Sequence, residues 1–169
     1  SIGLVGSEMC IRDSIKPHGS LYGVSAREED VAHGIADAAE IFNVGVFGMV
    51  KTCHEKVYKE RGVKFYGEFY SDLEYDETGY LVIAKGRNKY YPTDRAVERC
   101  MRAIQEKKVT TINGNDVEVG CETICVHSDT PNAIEILKAL RLKISPNKNL
   151  EEKKNNQNNP KMPYIVDTK

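Results

Sequence analysis

The sequence predicts an α/β fold built from parallel strands that alternate with helices. Two short apolar runs, residues 44–49 and 63–69, have the composition of buried parallel strands, and segments with helical spacing precede and separate them. Because parallel neighbours need crossover connections, this alternation is typical of a parallel sheet or barrel. The sequence offers only about four or five such strands, whereas closing an α/β barrel takes about eight, so we expect part of a larger domain.

The N-terminal residues 1–14 stand outside this pattern. Gly3 and Gly6 interrupt any helix, and the segment has no alternation of apolar and polar residues that would predict a strand. We interpret residues 1–14 as a non-native leader, similar to translated adapter sequence, or as a native disordered N-terminus. Almost no strand precedes Lys16, so residues 15–144 are expected to be the C-terminal part of a barrel whose N-terminal part is missing.

The remaining elements follow from spacing and turn signals. Ser25 and Glu28 form a capping box at the start of the first long helix, and Asn113-Gly114 is a strong hairpin signal. A proline such as Pro131 is favoured in the first turn of a helix. The expected order is a helix over about 26–42, a strand over 44–49, a helix over 53–62, a strand over 63–69, a long functional loop or lid over 70–92, a helix from Thr93, a hairpin over 109–119, a strand over 122–126, a helix from Pro131 to about Lys143 and a disordered polar tail over 145–169.

Composition bounds the class of protein. A chain of 169 residues with 40 % hydrophobic content has room for one domain with a real core. The formal charge of −1 gives no basic face, so nucleic acid is not an expected partner. The five cysteines include no Cys-x-x-Cys pair, which favours a reduced, cytoplasmic protein. No apolar run reaches the roughly 18 residues that a membrane span needs.

Two polar clusters carry most of the functional signal. One follows the strand over 122–126 and places an imidazole, a carboxylate and a hydroxyl beside the positive end of the helix at Pro131. Such an edge stabilises an anionic or carbonyl-bearing ligand. In the other cluster, a proline and a glycine fix the backbone on either side of a histidine and permit a ligand to approach. The clusters are His127-Ser128-Asp129-Thr130-Pro131 and Lys16-Pro17-His18-Gly19-Ser20-Leu21-Tyr22.

Each histidine has a structural interpretation beside the functional one. His18 is either a general acid/base or metal-binding residue, or a histidine that hydrogen-bonds a turn. His127 and Asp129 fall on one face if the segment stays extended, and the carboxylate then orients the imidazole. In the structural interpretation, Asp129 and Thr130 only cap the helix behind them.

Two further carboxylates follow another predicted strand. Glu68 is well placed to face a ligand, whereas Asp72 is somewhat better explained as a loop-capping residue. His33 and His54 lie on helices among charged neighbours and are expected to face solvent. No Gly-x4-Gly-Lys-Ser/Thr loop and no Gly-x-Gly-x-x-Gly motif occurs, so the sequence indicates no nucleotide cradle of its own.

The segments 16–22, 68–75 and 125–131 resemble successive motifs of the LamB/YcsF family, to which the first of the three components of ATP-dependent 5-oxoprolinase belongs. The resemblance extends over about residues 16–143. It implies a seven-stranded β/α barrel of the glycoside hydrolase/deacetylase type. It also implies opening of the lactam 5-oxo-L-proline to L-glutamate with ATP as co-substrate, and the B and C subunits of 5-oxoprolinase as partners.

The sequence departs from the family pattern in two places. The N-terminal half of the family, with its Asp- and His-containing motifs, has no counterpart here. The middle motif reads Ser71-Asp72-Leu73 where the family has Ala-Asp-Arg, so an arginine that could hold a carboxylate is missing. The leucine and the acidic residues after it are similar to fungal-type members, in which substrate choice can differ.

These observations lead to one hypothesis for the site and two alternatives. We expect the loops bearing His18 and His127 to meet at one rim of a partial barrel, around 5-oxoproline or another small lactam, with the metal requirement unknown. The first alternative is a metal-dependent deacetylase-like hydrolase, and the second is a non-catalytic fragment or interaction subunit. The candidate acid/base and supporting groups are His18, His127 and Asp129, and the candidate substrate-binding residues are Lys16, Ser20, Tyr22, Glu68, Asp72 and Thr130.

Overall fold

The computed structural model describes residues 13–83 and 90–144, together with the backbone of 164–168. The chain divides into two compact units, Ser1–Gly67 and Glu68–Lys169. Each unit combines parallel strands with helices, so the predicted α/β class is confirmed. The seven-stranded barrel and the missing N-terminal part stay predictions.

The first unit has a parallel arrangement of three strands. Its elements are β1 (Ser14–Ile15), α1 (Ser20–Ser25), α2 (Glu29–Phe42), β2 (Gly45–Gly48), α3 (Cys53–Glu60) and the beginning of β3 (Phe65–Tyr70). β1 and β2 pair through Ser14 and Gly45, and β2 pairs with β3 through Val46 and Phe65. The core is formed by small residues on one face of α2 together with Val46, Val57 and Tyr58.

Two boundaries in the first unit differ from the sequence prediction. The predicted helix over 26–42 begins at Glu29, and its N-cap residue, Glu28, makes no side-chain capping bond. The Ser25 hydroxyl instead donates to the carbonyls of Leu21 and Tyr22 inside α1, so the capping box is wrong. Ser14, predicted to be part of the leader, belongs to β1, whereas residues 1–12 lie outside the described part.

The second unit contains a parallel group and two hairpins. After the end of β3, the elements are β4 (Glu74–Tyr75), β5 (Leu81–Val82), α4 (Thr93–Glu106), β6 (Lys108–Thr110), β7 (Asp116–Glu118), β8 (Thr123–His127), α5 (Ala133–Ile144) and β9 (Tyr164–Thr168). β3 pairs in parallel with β8, and β8 pairs in parallel with β9. Two short antiparallel pairs, β4 with β5 and β6 with β7, branch from this arrangement.

Most predicted elements of the second unit are confirmed. The Asn113-Gly114 hairpin forms, with Gly114 at a φ of 87° that suits glycine. The predicted long loop over 70–92 contains the β4–β5 hairpin, and residues 84–89 lie outside the described part. Within the predicted disordered tail, residues 164–168 instead form a strand beside β8, while 145–163 are outside the described part.

The register of β3 and β8 decides which side chains share a face. Glu68 is the partner of Thr123, and Tyr70 is the partner of Cys125. Because side chains alternate along a strand, these four share one face with His127. The opposite face carries buried apolar residues, namely Phe69, Ile124 and Val126. The second unit therefore has one polar face on its parallel strands, and this face leads to the end of β8.

Candidate functional site

The loop that follows β3 is fastened to the end of β8. Ser71 donates twice to the carbonyl of Cys125, from its backbone N–H at 3.1 Å and from its hydroxyl at 2.9 Å. Parallel strands end at the same edge of a sheet, so the residue after Ser71 is delivered beside the last residue of β8. That next residue is Asp72, and the last residue of β8 is His127.

Asp72 accepts three hydrogen bonds from the segment that ends β8. Its Oδ1 lies 2.7 Å from His127 Nδ1, and its Oδ2 accepts from the His127 backbone N–H at 3.1 Å and from the Thr130 hydroxyl at 2.6 Å. The Asp72 side chain is 1 % exposed and that of His127 is 16 % exposed. The carboxylate is thus enclosed, while the imidazole keeps an opening to the outside.

This bonding pattern fixes the charge of the carboxylate and the position of the imidazole proton. Burial raises the pKa of Asp72, but the hydrogen bonds from His127 and Thr130 outweigh it, and the pKa lies below its ordinary value. An ionised carboxylate can only accept, so His127 Nδ1 must carry a proton. Proton transfer is then left to Nε2 of His127.

Two neighbours define the surroundings of the imidazole. The Tyr70 ring stacks on the His127 ring, with 5.4 Å between centroids and 25° between planes. Cys125 Sγ lies 3.8 Å from His127 Nε2, a distance at which a thiol interacts weakly with the ring nitrogen. Tyr70 and Cys125 are absent from the sequence candidates. The alternation of side chains along β3 and β8 would place them on this face once the register is known.

The expectation that Asp129 orients His127 is wrong in its geometry. β8 ends at His127, and the backbone turns so that the Thr130 N–H donates to the His127 carbonyl at 3.2 Å. The extended segment that would put Asp129 on the same face therefore does not continue. Asp129 is exposed, and Asp72 occupies the position at Nδ1 that the sequence predicts for Asp129. The capping interpretation of Asp72 misses this bond.

The helix expected at Pro131 also begins later than predicted. α5 starts at Ala133, whose N–H donates to the Thr130 carbonyl at 2.9 Å. The Thr130 hydroxyl, predicted to cap this helix, donates to Asp72 instead. Asn132 uses its side chain on the backbone of Tyr91. The polar groups of this turn thus hold the loop together, and the Ala133 amide is not available to an oxygen anion.

The first cluster, in the other unit, has a different character. His18 is exposed, and Ser20 is the exposed first residue of α1. Tyr22, predicted to bind substrate, is instead buried with its ring packed edge-on against His54 at 4.8 Å between centroids. Lys16 Nζ lies over the Tyr22 ring at 5.8 Å from its centroid. The roles of His18, Ser20 and Lys16 in binding or catalysis stay predictions, as does the shared rim for His18 and His127.

The prediction that His54 faces solvent is wrong. Its side chain is fully buried, with Nδ1 accepting from the Met49 N–H at 3.1 Å and Nε2 at 2.7 Å from the Ser25 hydroxyl. Burial lowers the pKa of His54 to about 4, so the ring is neutral at ordinary pH. Because Nδ1 accepts, the proton of His54 resides on Nε2.

The remaining carboxylate candidate and the metal question concern the second unit. Glu68 is buried, 2 % exposed, on the same strand face as His127. Within residues 13–83 and 90–144, no group of three or more His, Cys, Asp or Glu side chains is placed to hold a metal ion. No helix in the same ranges is long and apolar enough to cross a membrane.

Comparison with known proteins decides the family. The model of the LamB/YcsF family matches residues 5–158. The chain belongs to the LamB/YcsF family. Among curated relatives, it is 33 % identical over 129 residues to the A component of 5-oxoprolinase from Oceanobacillus iheyensis, which covers 75 % of this chain and 50 % of that protein. It is also 33 % identical over 144 residues to the lactam utilization protein lamB of Emericella nidulans, covering 82 % of this chain and 56 % of that one.

A solved structure gives the same assignment. The lactam utilization protein from Thermus thermophilus superposes with a TM-score of 0.68 at 26 % sequence identity, covering 79 % of this chain and 54 % of that chain. The likeness extends the family assignment from sequence to the arrangement of the backbone. The chain spans about half the length of the curated relatives it matches.

Proposed function

We propose that this LamB/YcsF member takes part in hydrolytic opening of 5-oxo-L-proline to L-glutamate, with His127 as the acid/base group. The names of two relatives, a lactam utilization protein and a component of 5-oxoprolinase, support a hydrolase acting on a lactam. The observation that carries the proposal is the Asp72–His127 pair, at 2.7 Å between carboxylate oxygen and Nδ1. A buried carboxylate behind a partly exposed imidazole is the arrangement used in general acid/base catalysis.

The pair suits both proton transfers of lactam hydrolysis. Water must lose a proton as it attacks the lactam carbonyl, and the ring nitrogen must gain one as the carbon–nitrogen bond breaks. His127 Nε2 takes the first proton, and the resulting imidazolium is stabilised by the Asp72 carboxylate behind it. The same Nε2 then returns the proton to the departing nitrogen, which leaves the amine and the carboxylate of L-glutamate.

The nucleotide and the other subunits belong to the assembled enzyme in this proposal. The sequence contains no Gly-rich phosphate loop, and the described residues do not form a recognisable cradle for ATP. ATP is therefore proposed as a co-substrate of a complex with the B and C subunits, and the bacterial relatives, which are named as parts of a multi-component enzyme, support such a complex. The residues of this chain are assigned only to the proton transfers.

The wider setting is proposed from the same family membership. We propose that the parallel strands belong to a seven-stranded β/α barrel, which the likeness to the Thermus thermophilus protein supports. A reducing, cytoplasmic location is supported by the cysteines of the described ranges, Cys53, Cys100, Cys121 and Cys125, none of which forms a disulfide.

The remaining sequence candidates keep their proposed roles in substrate binding. His18 is proposed as a second acid/base or ligand-orienting group, and Lys16 and Ser20 as contacts to the substrate. Glu68 is proposed to face the substrate because it lies on the polar strand face that ends at His127. The metal-dependent deacetylase is not favoured by a specific observation, since the described ranges hold no metal-ligand cluster that would point to it.

The experiment is turnover of 5-oxoproline by the chain assembled with the B and C subunits and ATP, measured as L-glutamate released. His127→Gln should lower turnover by a factor of about 10² to 10⁴, the range for loss of general acid/base catalysis. His33→Gln, a replacement of a histidine on α2 in the other unit, is the matched control and should keep native turnover. Undiminished turnover in His127→Gln would remove His127 from the mechanism, and His18→Ala tests the second histidine in the same assay.

A further inference from the structure

The loop that carries Asp72 is held from behind by an arginine on α4. Arg99 Nη1 donates to the carbonyl of Ser71 at 3.1 Å, and Nη2 donates to the carbonyl of Leu73 at 2.5 Å. These two carbonyls belong to the residues on either side of Asp72 in the chain. One guanidinium therefore fixes the peptide groups before and after the carboxylate that binds His127.

The surroundings of Arg99 are unusual for an arginine on a surface helix. The residue is 8 % exposed, and its guanidinium carbon lies 5.6 to 5.9 Å from the ring centroids of Phe69, Tyr75 and Tyr91. Three aromatic rings around a cation attract it electrostatically and exclude water from its hydrogen bonds. Burying a permanent charge is costly unless its donors are used, and here they are used on the Asp72 loop.

Arg99 is itself held in place from its far side. Nη1 also donates to the Tyr91 hydroxyl at 2.5 Å, and that hydroxyl donates to Glu74 Oε1 at 3.0 Å. Burial raises the pKa of Tyr91 to about 12, so the hydroxyl keeps its proton. Glu74 also binds Arg95, one turn earlier on α4, at 2.9 Å. The guanidinium thus has a fixed position from which to hold the loop.

We propose that Arg99 is the positioning residue of the Asp72–His127 pair, holding the Ser71 and Leu73 carbonyls so that the carboxylate stays aimed at His127 Nδ1. Arg99 acts only through the backbone on both sides of Asp72. The fork geometry of arginine explains why one side chain spans two carbonyls that lysine could not both reach with the same orientation. The catalytic consequence rests on the proposed function of His127, whereas the geometric claim does not.

The test is the exchange of the His127 Nδ1 proton with water, followed by NMR on the full chain labelled with ¹⁵N-histidine. In the native protein this proton is bonded to a buried carboxylate and should exchange slowly. In Arg99→Gln the Asp72 loop loosens, and the proton should exchange about tenfold faster, the factor for loss of one charge-assisted hydrogen bond. His127→Gln identifies the resonance by removing it.

Two controls separate positioning from general destabilisation. Arg95→Gln removes a cation from the same helix that binds Glu74 but neither carbonyl beside Asp72, so the His127 proton should exchange at the native rate. The Nε2 proton of His54, in the other unit, is an internal reference and should stay unchanged in every variant. A purely structural role of Arg99 would lower the melting temperature and leave the His127 proton at its native exchange rate below the transition.

Arg99→Lys keeps the inference testable if Arg99→Gln does not fold. Lysine preserves the charge but not the two-pronged fork, so we expect an exchange rate between those of the native protein and Arg99→Gln. A native exchange rate in a folded Arg99→Lys or Arg99→Gln overturns the positioning role. Turnover is measured separately, so rapid exchange with normal turnover would contradict the proposed function of His127 and leave the role of Arg99 intact.

Discussion

The two units each contain a histidine held by hydrogen bonds near a strand end, and the two are held in opposite ways. In the first unit, His54 accepts a backbone N–H at Nδ1 and lies against a serine hydroxyl at Nε2. In the second unit, His127 presents Nδ1 to a buried carboxylate and keeps 16 % of its side chain exposed. One ring uses both nitrogens within the core, and the other bonds a charged group and keeps an opening to the outside.

The difference shows that the partner of Nδ1, and not the presence of histidine, distinguishes a structural site from a reactive one. His54 is surrounded by packing: a Cβ added to Gly48 would lie 2.7 Å from His54 Cβ, so there is no space for a ligand beside the ring. His127 has a charge behind it that stabilises the protonated ring. We therefore expect changes at His54 to affect stability and changes around His127 to affect turnover.

The largest expected effect is on turnover, from Asp72→Asn. The amide cannot stabilise an imidazolium, and it can offer its own N–H to Nδ1, which reverses the position of the imidazole proton. We expect 5-oxoproline turnover to fall by a factor of about 10² to 10⁴ in the assembled enzyme. Asp129→Asn, which neutralises the exposed carboxylate in the turn after β8, is the control and should retain turnover. Equal losses in the two variants would contradict the assignment of Asp72.

The next effect is on the stability of the first unit, from His54→Ala. The change leaves a cavity and removes the acceptor of the Met49 N–H, so the free energy of unfolding should fall by about 2 to 4 kcal/mol. Denaturant unfolding of the full chain measures it. His33→Ala, on the neighbouring α2 and only partly buried, should cost less than about 1 kcal/mol. A fall for His54→Ala no larger than that of the control would show that the buried bonds of His54 are not needed.

The two histidine sites should also respond to acid in separate pH ranges. The pKa of His54 falls from 6.5 in the unfolded chain to about 4 in the fold, so the unfolded state binds the proton more tightly. Stability is therefore complete above pH 6.5 and declines by about 3 kcal/mol on acidification towards pH 4. For Asp72 the pKa lies below the ordinary 3.8, so its stabilisation is present above that value and is lost only at lower pH.

Unfolding free energy measured between pH 7 and pH 4 checks the first of these ranges. The decline should be absent in His54→Gln, which cannot titrate, and unchanged in Asp72→Asn. A native decline that persists in His54→Gln would assign the acid sensitivity to other groups.

The smallest expected effect comes from Thr130→Val, which removes one of the three hydrogen bonds to Asp72. Loss of the hydroxyl should reduce the free energy of unfolding by about 1 to 2 kcal/mol, because a buried carboxylate oxygen keeps only its bond from the His127 N–H. Thr130→Ser keeps the hydroxyl and should restore most of this loss. If both variants were equally destabilised, the lost methyl packing and not the hydrogen bond would be responsible.

Much of the fold could be predicted from the sequence, because it depends on local signals. The apolar runs at 44–49 and 63–69, the Asn113-Gly114 turn and the helix at Thr93 all occur where spacing and turn chemistry put them. Capping predictions failed at Ser25 and Thr130 for one reason. Each hydroxyl can bond to several partners, and the partner it takes is set by tertiary contacts that no local pattern contains.

The site could be predicted only in part, for the same reason. His127 is identifiable because its position between a strand and a helix can be read locally. Its partner Asp72 is 55 residues away in the chain, and only the parallel pairing of β3 with β8 brings them together. Arg99 could not be found, since in sequence it is one charged residue on an amphipathic helix, and its burial among three rings depends on the packing of the second unit.

The most direct test of the account is the tautomer of each ring, read in one ¹⁵N-histidine NMR spectrum of the native chain at about pH 8, above the ordinary histidine pKa, where the assignments come from His54→Gln and His127→Gln. The account predicts opposite neutral tautomers, with the proton of His54 on Nε2 and that of His127 on Nδ1. A proton on Nε2 and a bare Nδ1 in His127 would contradict the bond to Asp72, and with it the proposed acid/base site.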